Sequence, residues 1–346
     1  MKQKTAIAAF TTVLIFTAFI ILAGTSDAYA AKKLTINLGT LVPRGSSFYN
    51  ALAEMGEKWR DASGGSVRLN IYPDGIQGGE ADMVRLMRAK LLTAGMFSVI
   101  GLSEIDKSVG GLSFLPLMFR SSEEYDYVLE KLSPRLDKLL LDKGFVVLFW
   151  GDTGWVRFFS TTPAIHPDDF KKFKIYTSSG NSDQVDLMRS LGYNPVPLDT
   201  ADILTGLRTG LIDAISIPPN LALMYQCYTV AKNMLDLKWS ILSGATIVRK
   251  DTWDSIDPAL RKQFLEAAAE AGEKIRSAVR REEKESIAAM QKKGLVVHPV
   301  PPEVMKEWLA LTDIVYPKIR GNTVPADIFD EVQRLVAEYR AKESGK

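Results

Sequence analysis

The sequence predicts an α/β protein in two lobes, each an open mixed sheet flanked by helices, with one long helix spanning both. Three observations predict it. Strand-like and helix-like segments alternate from about residue 34 to residue 217, the order expected of open sheets with helices on their faces. A run from Asp257 to about Lys293 has no proline after Pro258 and one glycine, Gly272. No Pro- or Ser-rich linker divides the chain, so the lobes are expected to exchange strands and not to hang as beads.

Leu34–Leu41 reads as a strand, and Ser47 to about Ala62 as an amphipathic helix closed by Gly64 and Gly65. Val67–Tyr72 alternates apolar and polar residues like a strand, and Pro73-Asp74-Gly75 turns it. Glu80–Lys90 is helical and Leu92–Val99 strand-like. Glu123–Lys143 reads as one or two helices, and Phe145–Trp150 as a buried strand. Phe173–Tyr176 is a short strand, Ser182–Leu191 and Thr200–Thr209 are helices, and Ala214–Ile217 is a strand. Asp257 is placed to cap the long helix, Pro258 suits its first position, and Gly294 closes it. At 1.5 Å per residue it is a rod of about 55 Å. Such a rod either breaks near Gly272 or lies across two lobes, and a spine across both is expected.

At the N-terminus, Lys2 and Lys4 precede an apolar stretch from about Ala6 to Ala23, then Ala28-Tyr29-Ala30. That pattern is a cleavable export signal, with the mature chain starting near Ala31; the alternative is an uncleaved anchor. A periplasmic location follows. With 43 basic and 41 acidic residues the net charge is +2, which gives no electrostatic case for nucleic acid. Cys227 is the single cysteine, so no internal disulfide is possible, and it is expected to be buried and inert. A monomer is expected.

Catalytic signatures are missing. The two histidines, His166 and His298, are far apart without partner motifs, and no nucleophile elbow, zinc signature, CxxC or phosphate loop occurs. Neither an enzyme, a metal site nor a cofactor is expected. What the sequence offers is a binding constellation. Phe97, Phe149, Trp150, Trp155, Phe158, Phe159, Tyr176 and Trp239 fall at strand ends, where clefts between domains form. Phe149 and Trp150 read as core; Trp155, beside a glycine in a strand connection, is a pocket candidate. Arg157 lies in a strand-like stretch of rings, where an unpaired guanidinium is costly to bury. It needs either an internal carboxylate or a ligand anion, and both stay open. The Ser178–Ser182 loop leads into a helix start, so its backbone N–H groups could face a ligand.

Several stretches resemble the solute-binding subunits of TRAP transporters, the tripartite ATP-independent periplasmic systems. They are Gly64-Gly65 through Tyr72-Pro73, Gly78-Gly79-Glu80, Leu112 through Phe119, Asp169–Ile175, Leu191-Gly192 to Pro195, Gly206 to Asp213, and Trp253 to Pro258. They run in family order over nearly all of the chain after the signal. The resemblance implies a clamp of two lobes, 31–154 plus about 241–280 and 155–240 plus about 281–340, with 257–293 crossing them. It also implies closure on a small organic ligand and delivery to integral membrane subunits of an ion-driven carrier.

Two departures stand out. Where the family usually has an arginine that grips a substrate carboxylate, this sequence has Tyr176, and Ile217 stands where an asparagine commonly faces the ligand. Arg157 matches a second family arginine, although Gly154-Trp155-Val156 looks locally longer. The expected ligand is therefore less polar than a C4-dicarboxylate, or a monocarboxylate held by Arg157. Tyr176, Ile217, Trp155, Trp239 and Phe97 are its other expected contacts. The alternative function is ligand capture for a membrane sensor.

Overall fold

Residues 33–345 are described in this computed structural model, and the expected signal segment, 1–30, lies outside them. In the first lobe β1 (Leu34–Thr40), α1 (Ser47–Ala62), β2 (Val67–Tyr72), α2 (Glu80–Arg88) and β3 (Ala94–Ser98) alternate as expected. β3 stops one residue before the expected Val99. The Ser98 hydroxyl accepts the Ile100 N–H and caps a short helix, α3 (Val99–Ser103). One helix, α4 (Ser122–Asp142), accommodates Pro134 and leads into β4 (Phe145–Trp155).

The chain then crosses to a second lobe: β5 (Arg157–Ser160), β6 (Lys174–Ser178), α5 (Ser182–Ser190), β7 (Asn194–Leu198), α6 (Ile203–Thr209), β8 (Ala214–Ile217), α7 (Pro219–Met224) and β9 (Asn233–Leu235). It returns through β10 (Ile241–Arg249), α8 (Lys250–Asp254), α9 (Pro258–Gln291), β11 (Val296–His298), α10 (Pro302–Ile319) and α11 (Ala326–Ser344). The sheets have orders β2-β1-β3-β10-β4 and β11-β9-β5-β8-β6-β7. Both are mixed: β1 runs parallel to β3 but β10 antiparallel, and β6 runs parallel to β8 but β5 antiparallel.

Two extended segments cross side by side between the lobes. Val156 N–H donates to the Ser240 carbonyl at 2.8 Å, and Trp239 N–H to the Val156 carbonyl at 3.2 Å. Just before this crossing, Ile241 pairs with Trp155 but Ser243 with Asp152, so the β4 strand carries an extra residue against β10. Gly154, at φ 94°, supplies the left-handed residue of that bulge, which accounts for the local lengthening seen in the sequence.

The third connection is α9, unbroken over 34 residues. The Asp257 carboxylate accepts the Ala259 N–H and fixes its start. Phe264 stacks on Trp59 of α1, with ring centroids 4.8 Å apart, and Met290 sits in the second lobe's core with Tyr228 and Leu295. Gly272 marks a close approach, not a break. A Cβ there would lie 3.0 Å from the Phe149 ring, so glycine lets helix and strand meet.

The C-terminal helices correct one expectation. The second lobe was expected to include about 281–340, but only the first half of α10 stays there, with Val304 and Trp308 beside Phe158 and Phe170. Val315 and Ile319 join the first lobe's core, and α11 adds Ile328, Phe329, Val332, Leu335 and Val336 to it, against α4. The spacing of that stripe shows which face of α11 is buried, but not which partner buries it.

Replacing Gly272 with Leu drives a branched side chain into Phe149. Denaturant unfolding should show a loss of about 1–3 kcal/mol, and an unchanged midpoint would contradict this packing.

Candidate functional site

A cleft of about 580 Å³ opens between the two sheets, of a size typical for small-molecule sites. The first lobe contributes Phe97 and Ser98 from β3, Gly151 and Asp152 from β4, and Ser243 to Ala245 from β10. The second contributes Tyr176 and Ser178 from β6, Ser216 and Ile217 from β8, and Thr200 and Tyr225 from connecting turns. Ile275 of α9 reaches the same space. Carboxyl ends of parallel strands leave such crevices because the connecting helices diverge there.

Glycine shapes the floor. The Phe97 ring lies back over Gly95, where a Cβ would fall 2.2 Å from the ring, and a Cβ on Gly244 would fall 2.4 Å from the Phe97 carbonyl. Tyr176 is buried, its hydroxyl 3.3 Å from Thr200 Oγ1, and burial pushes its pKa up to about 12. It therefore stays a neutral hydrogen-bonding group. Ile217 presents an apolar wall beside it, on the next strand.

Charge in the cleft is lopsided. Glu80, Asp82, Glu104, Asp152 and Asp199 line it, with Arg85 as the one basic residue among the described residues there. Arg85 lies at the exposed rim and pairs with Asp82. Glu80 accepts the Ser98 N–H and hydroxyl at 2.7 and 2.6 Å and the Gly101 N–H at 2.9 Å. Burial raises its pKa, with those donors pulling the other way. Asp152 is gripped in bidentate fashion by Arg280 of α9, at 2.8 and 3.0 Å, and also accepts the Gly154 N–H.

Of the residues expected from sequence, Phe97, Tyr176 and Ile217 share this cleft. Arg157 does not line it. The strand register puts Arg157 directly opposite Ile217, but its Nε donates to Asp236 at 3.1 Å and one terminal nitrogen to Glu283 of α9 at 3.1 Å. Internal carboxylates thus supply the counter-charge that a 3% exposed guanidinium requires, while its second terminal nitrogen, Nη1, is buried without a partner. Trp155 is likewise withdrawn: it packs in the first lobe's core, with Lys238 Nζ 5.3 Å above its ring. Trp239 faces a neighbouring cavity, against Phe158 and Trp308. The Ser178–Ser182 loop does border the cleft, with the Ser179 N–H already donating to Leu198 and Asn181 capping α5. Cys227 is buried, its thiol pushed up to about 12.

Sequence reasoning missed Glu80, Asp152, Thr200 and Tyr225. Glu80 stands in a family-like motif and carried a signal; the others had none. The lobes also touch across the cleft mouth. A Cβ on Gly180 would sit 3.2 Å from Ala81 Cβ, and Lys107 of the first lobe pairs with Asp183 of α5.

Residues 38–322, well over half of the chain, match the bacterial extracellular solute-binding proteins of family 7. The chain belongs to that family. Among curated relatives of this solute-binding protein is the 2,3-diketo-L-gulonate-binding periplasmic protein YiaO of Escherichia coli, 25% identical over 277 residues, 79% of this chain and 82% of that one. Among solved structures, a TRAP periplasmic solute-binding protein of Xanthobacter autotrophicus with bound β-D-galacturonate superimposes with a TM-score of 0.80. It is 21% identical and covers 87% of this chain and 99% of its own. A Desulfovibrio salexigens protein with bound orotic acid gives 0.80 at 16% identity, covering 90% and 99%. The two-lobed fold is therefore that of the TRAP solute-binding proteins. Among the described residues, no helix is long and apolar enough to cross a membrane.

Two outcomes test this geometry. Arg157→Met leaves the mostly buried Glu283 carboxylate without its partner and should cost about 1–3 kcal/mol in urea unfolding; full stability would contradict the internal pairing. Gly180→Val places methyl groups against Ala81, so small-angle scattering should report a larger radius of gyration at unchanged secondary structure. An unaltered radius would mean that the contact at the mouth does not hold the lobes together.

Proposed function

We propose that this solute-binding protein captures a small organic molecule without strong negative charge and delivers it to the integral membrane subunits of a TRAP-type carrier. The observation that carries the ligand reading is the absence of any buried basic residue from the cleft lining among the described residues. A carboxylate enclosed there would lose its hydration and gain no bidentate partner. It would also meet Glu80, Glu104 and Asp199 at close quarters. A neutral molecule with an apolar body meets Phe97, Ile217 and Leu242, and its hydroxyl or amide groups meet Tyr176, Thr200, Ser216 and Ser243.

A second reading rests on the relatives. The Xanthobacter autotrophicus protein holds galacturonate, and one from Shewanella oneidensis holds succinate. An acid is the ligand those likenesses favour, and Arg85 at the rim would be the lining residue to receive it. Family membership favours transport over the sensor alternative.

Calorimetry separates the two ligand readings. Wild type should bind succinate and D-galacturonate no tighter than about 1 mM, which corresponds to ~4 kcal/mol. Tyr176→Arg combined with Ile217→Asn should tighten one of these acids at least about tenfold, by restoring a charge-assisted pair. Micromolar binding of either acid by wild type would favour the acid reading and end this one.

A further inference from the structure

A second cavity, of about 180 Å³, adjoins the cleft, shares Ile100, Val156, Tyr176, Ser178, Ser216 and Leu242 with it, and extends over the face of the second sheet that carries Phe158, Ile175 and Thr177. Its far wall belongs to the first lobe's core, with Phe114, Val315 and Ile319. Helix α5 covers it. Leu187, Met188 and Leu191 face the space half-buried, and Val185 alone of that helix is fully buried. A short helix over a void forfeits the dispersion contacts that close packing provides.

Polar atoms point the same way. Thr177 Oγ1 and Tyr193 Oη are buried without a hydrogen-bond partner, and both residues line this cavity. Thr177 pairs in register with Pro197, while Tyr193 precedes Asn194, the partner of Lys174. About four residues, roughly 13 Å of strand, separate their backbones, so the two hydroxyls do not satisfy one another. Orphaned buried hydroxyls are uncommon, and a small guest or ordered water is the usual reason for them. The ring wall of Phe158, Trp239 and Trp308 suits an aromatic guest by edge-to-face contact. Apolar cavities of about 150 Å³ take up benzene.

We propose that this cavity is a side pocket of the cleft for a single-ring aromatic alcohol of phenol size, its ring against Phe158, Trp239 and Trp308 and its hydroxyl bonded to Thr177 or Tyr193. Because both lobes contribute walls, occupancy stabilises their closed arrangement, as any ligand of one state does.

Phenol and toluene, titrated against the mature protein by thermal shift and calorimetry, test it. Wild type should bind phenol with a Kd below about 10 mM, and its Tm should rise with phenol concentration. Thr177→Val with Tyr193→Phe should weaken phenol about five- to tenfold and leave toluene unchanged, the signature of a lost hydrogen bond. Met188→Trp, which fills the void, should abolish binding of both. Should that variant misfold, a wild-type crystal soaked in phenol decides the question, and a ring beside Trp308 supports the site. Ile217→Trp narrows only the cleft and should leave phenol affinity intact. No phenol binding by wild type, phenol located in the cleft, or ordered water alone beside Thr177 and Tyr193 would overturn the proposal.

Discussion

The ion pairs that hold Arg157 between Asp236 and Glu283 join the second sheet to α9 beside the cleft. With two nitrogens of that guanidinium committed to the joint between the second sheet and α9, the cleft lining holds hydroxyls, apolar walls, carboxylates and, at its rim, Arg85. The same contacts tie α9 to the second lobe, while Arg280, one turn earlier, ties it to Asp152 of the first. Two arginines on neighbouring levels thus serve the spine and its hinge. Arg280 is held by Asp152, whereas Arg157 keeps one terminal nitrogen, Nη1, buried without a hydrogen-bond partner.

Closure follows from the connections. Two crossing strands and the helices α9 and α10 join the lobes, with Gly154, Val156 and Ser240 at the strand crossing. A left-handed glycine at a bulge is a place where backbone angles change at low cost. The mouth is held by short side chains and one exposed ion pair, Lys107 with Asp183, worth little by itself in water. A ligand that touches both walls can therefore set the balance between open and closed forms.

Much of this was legible in the sequence. Alternation of period two and period 3.6 located most strands and helices as far as Ile217, because each element buries one face. The proline-free run at Asp257–Lys293 announced α9. Two things were hidden. The partner of α11 depends on matching stripes across two hundred residues, which no local pattern encodes. The fate of Arg157 depends on Asp236 and Glu283, both distant in sequence and ordinary in context. Trp155 and Trp239 read as pocket rings because an aromatic at a strand end looks the same whether it faces a core or a cleft. Tyr176 and Ile217 were found because they depart from a family pattern, and a changed anchor in a known motif is the strongest signal one sequence offers.

The ligand's charge is the most direct test. Native mass spectrometry of the mature protein purified gently from its own host, followed by release and identification of whatever it carries, measures that charge. The account predicts a neutral organic molecule, bound one per chain in the cleft. Recovery of a uronate, a dicarboxylate or another organic acid at full occupancy would contradict it.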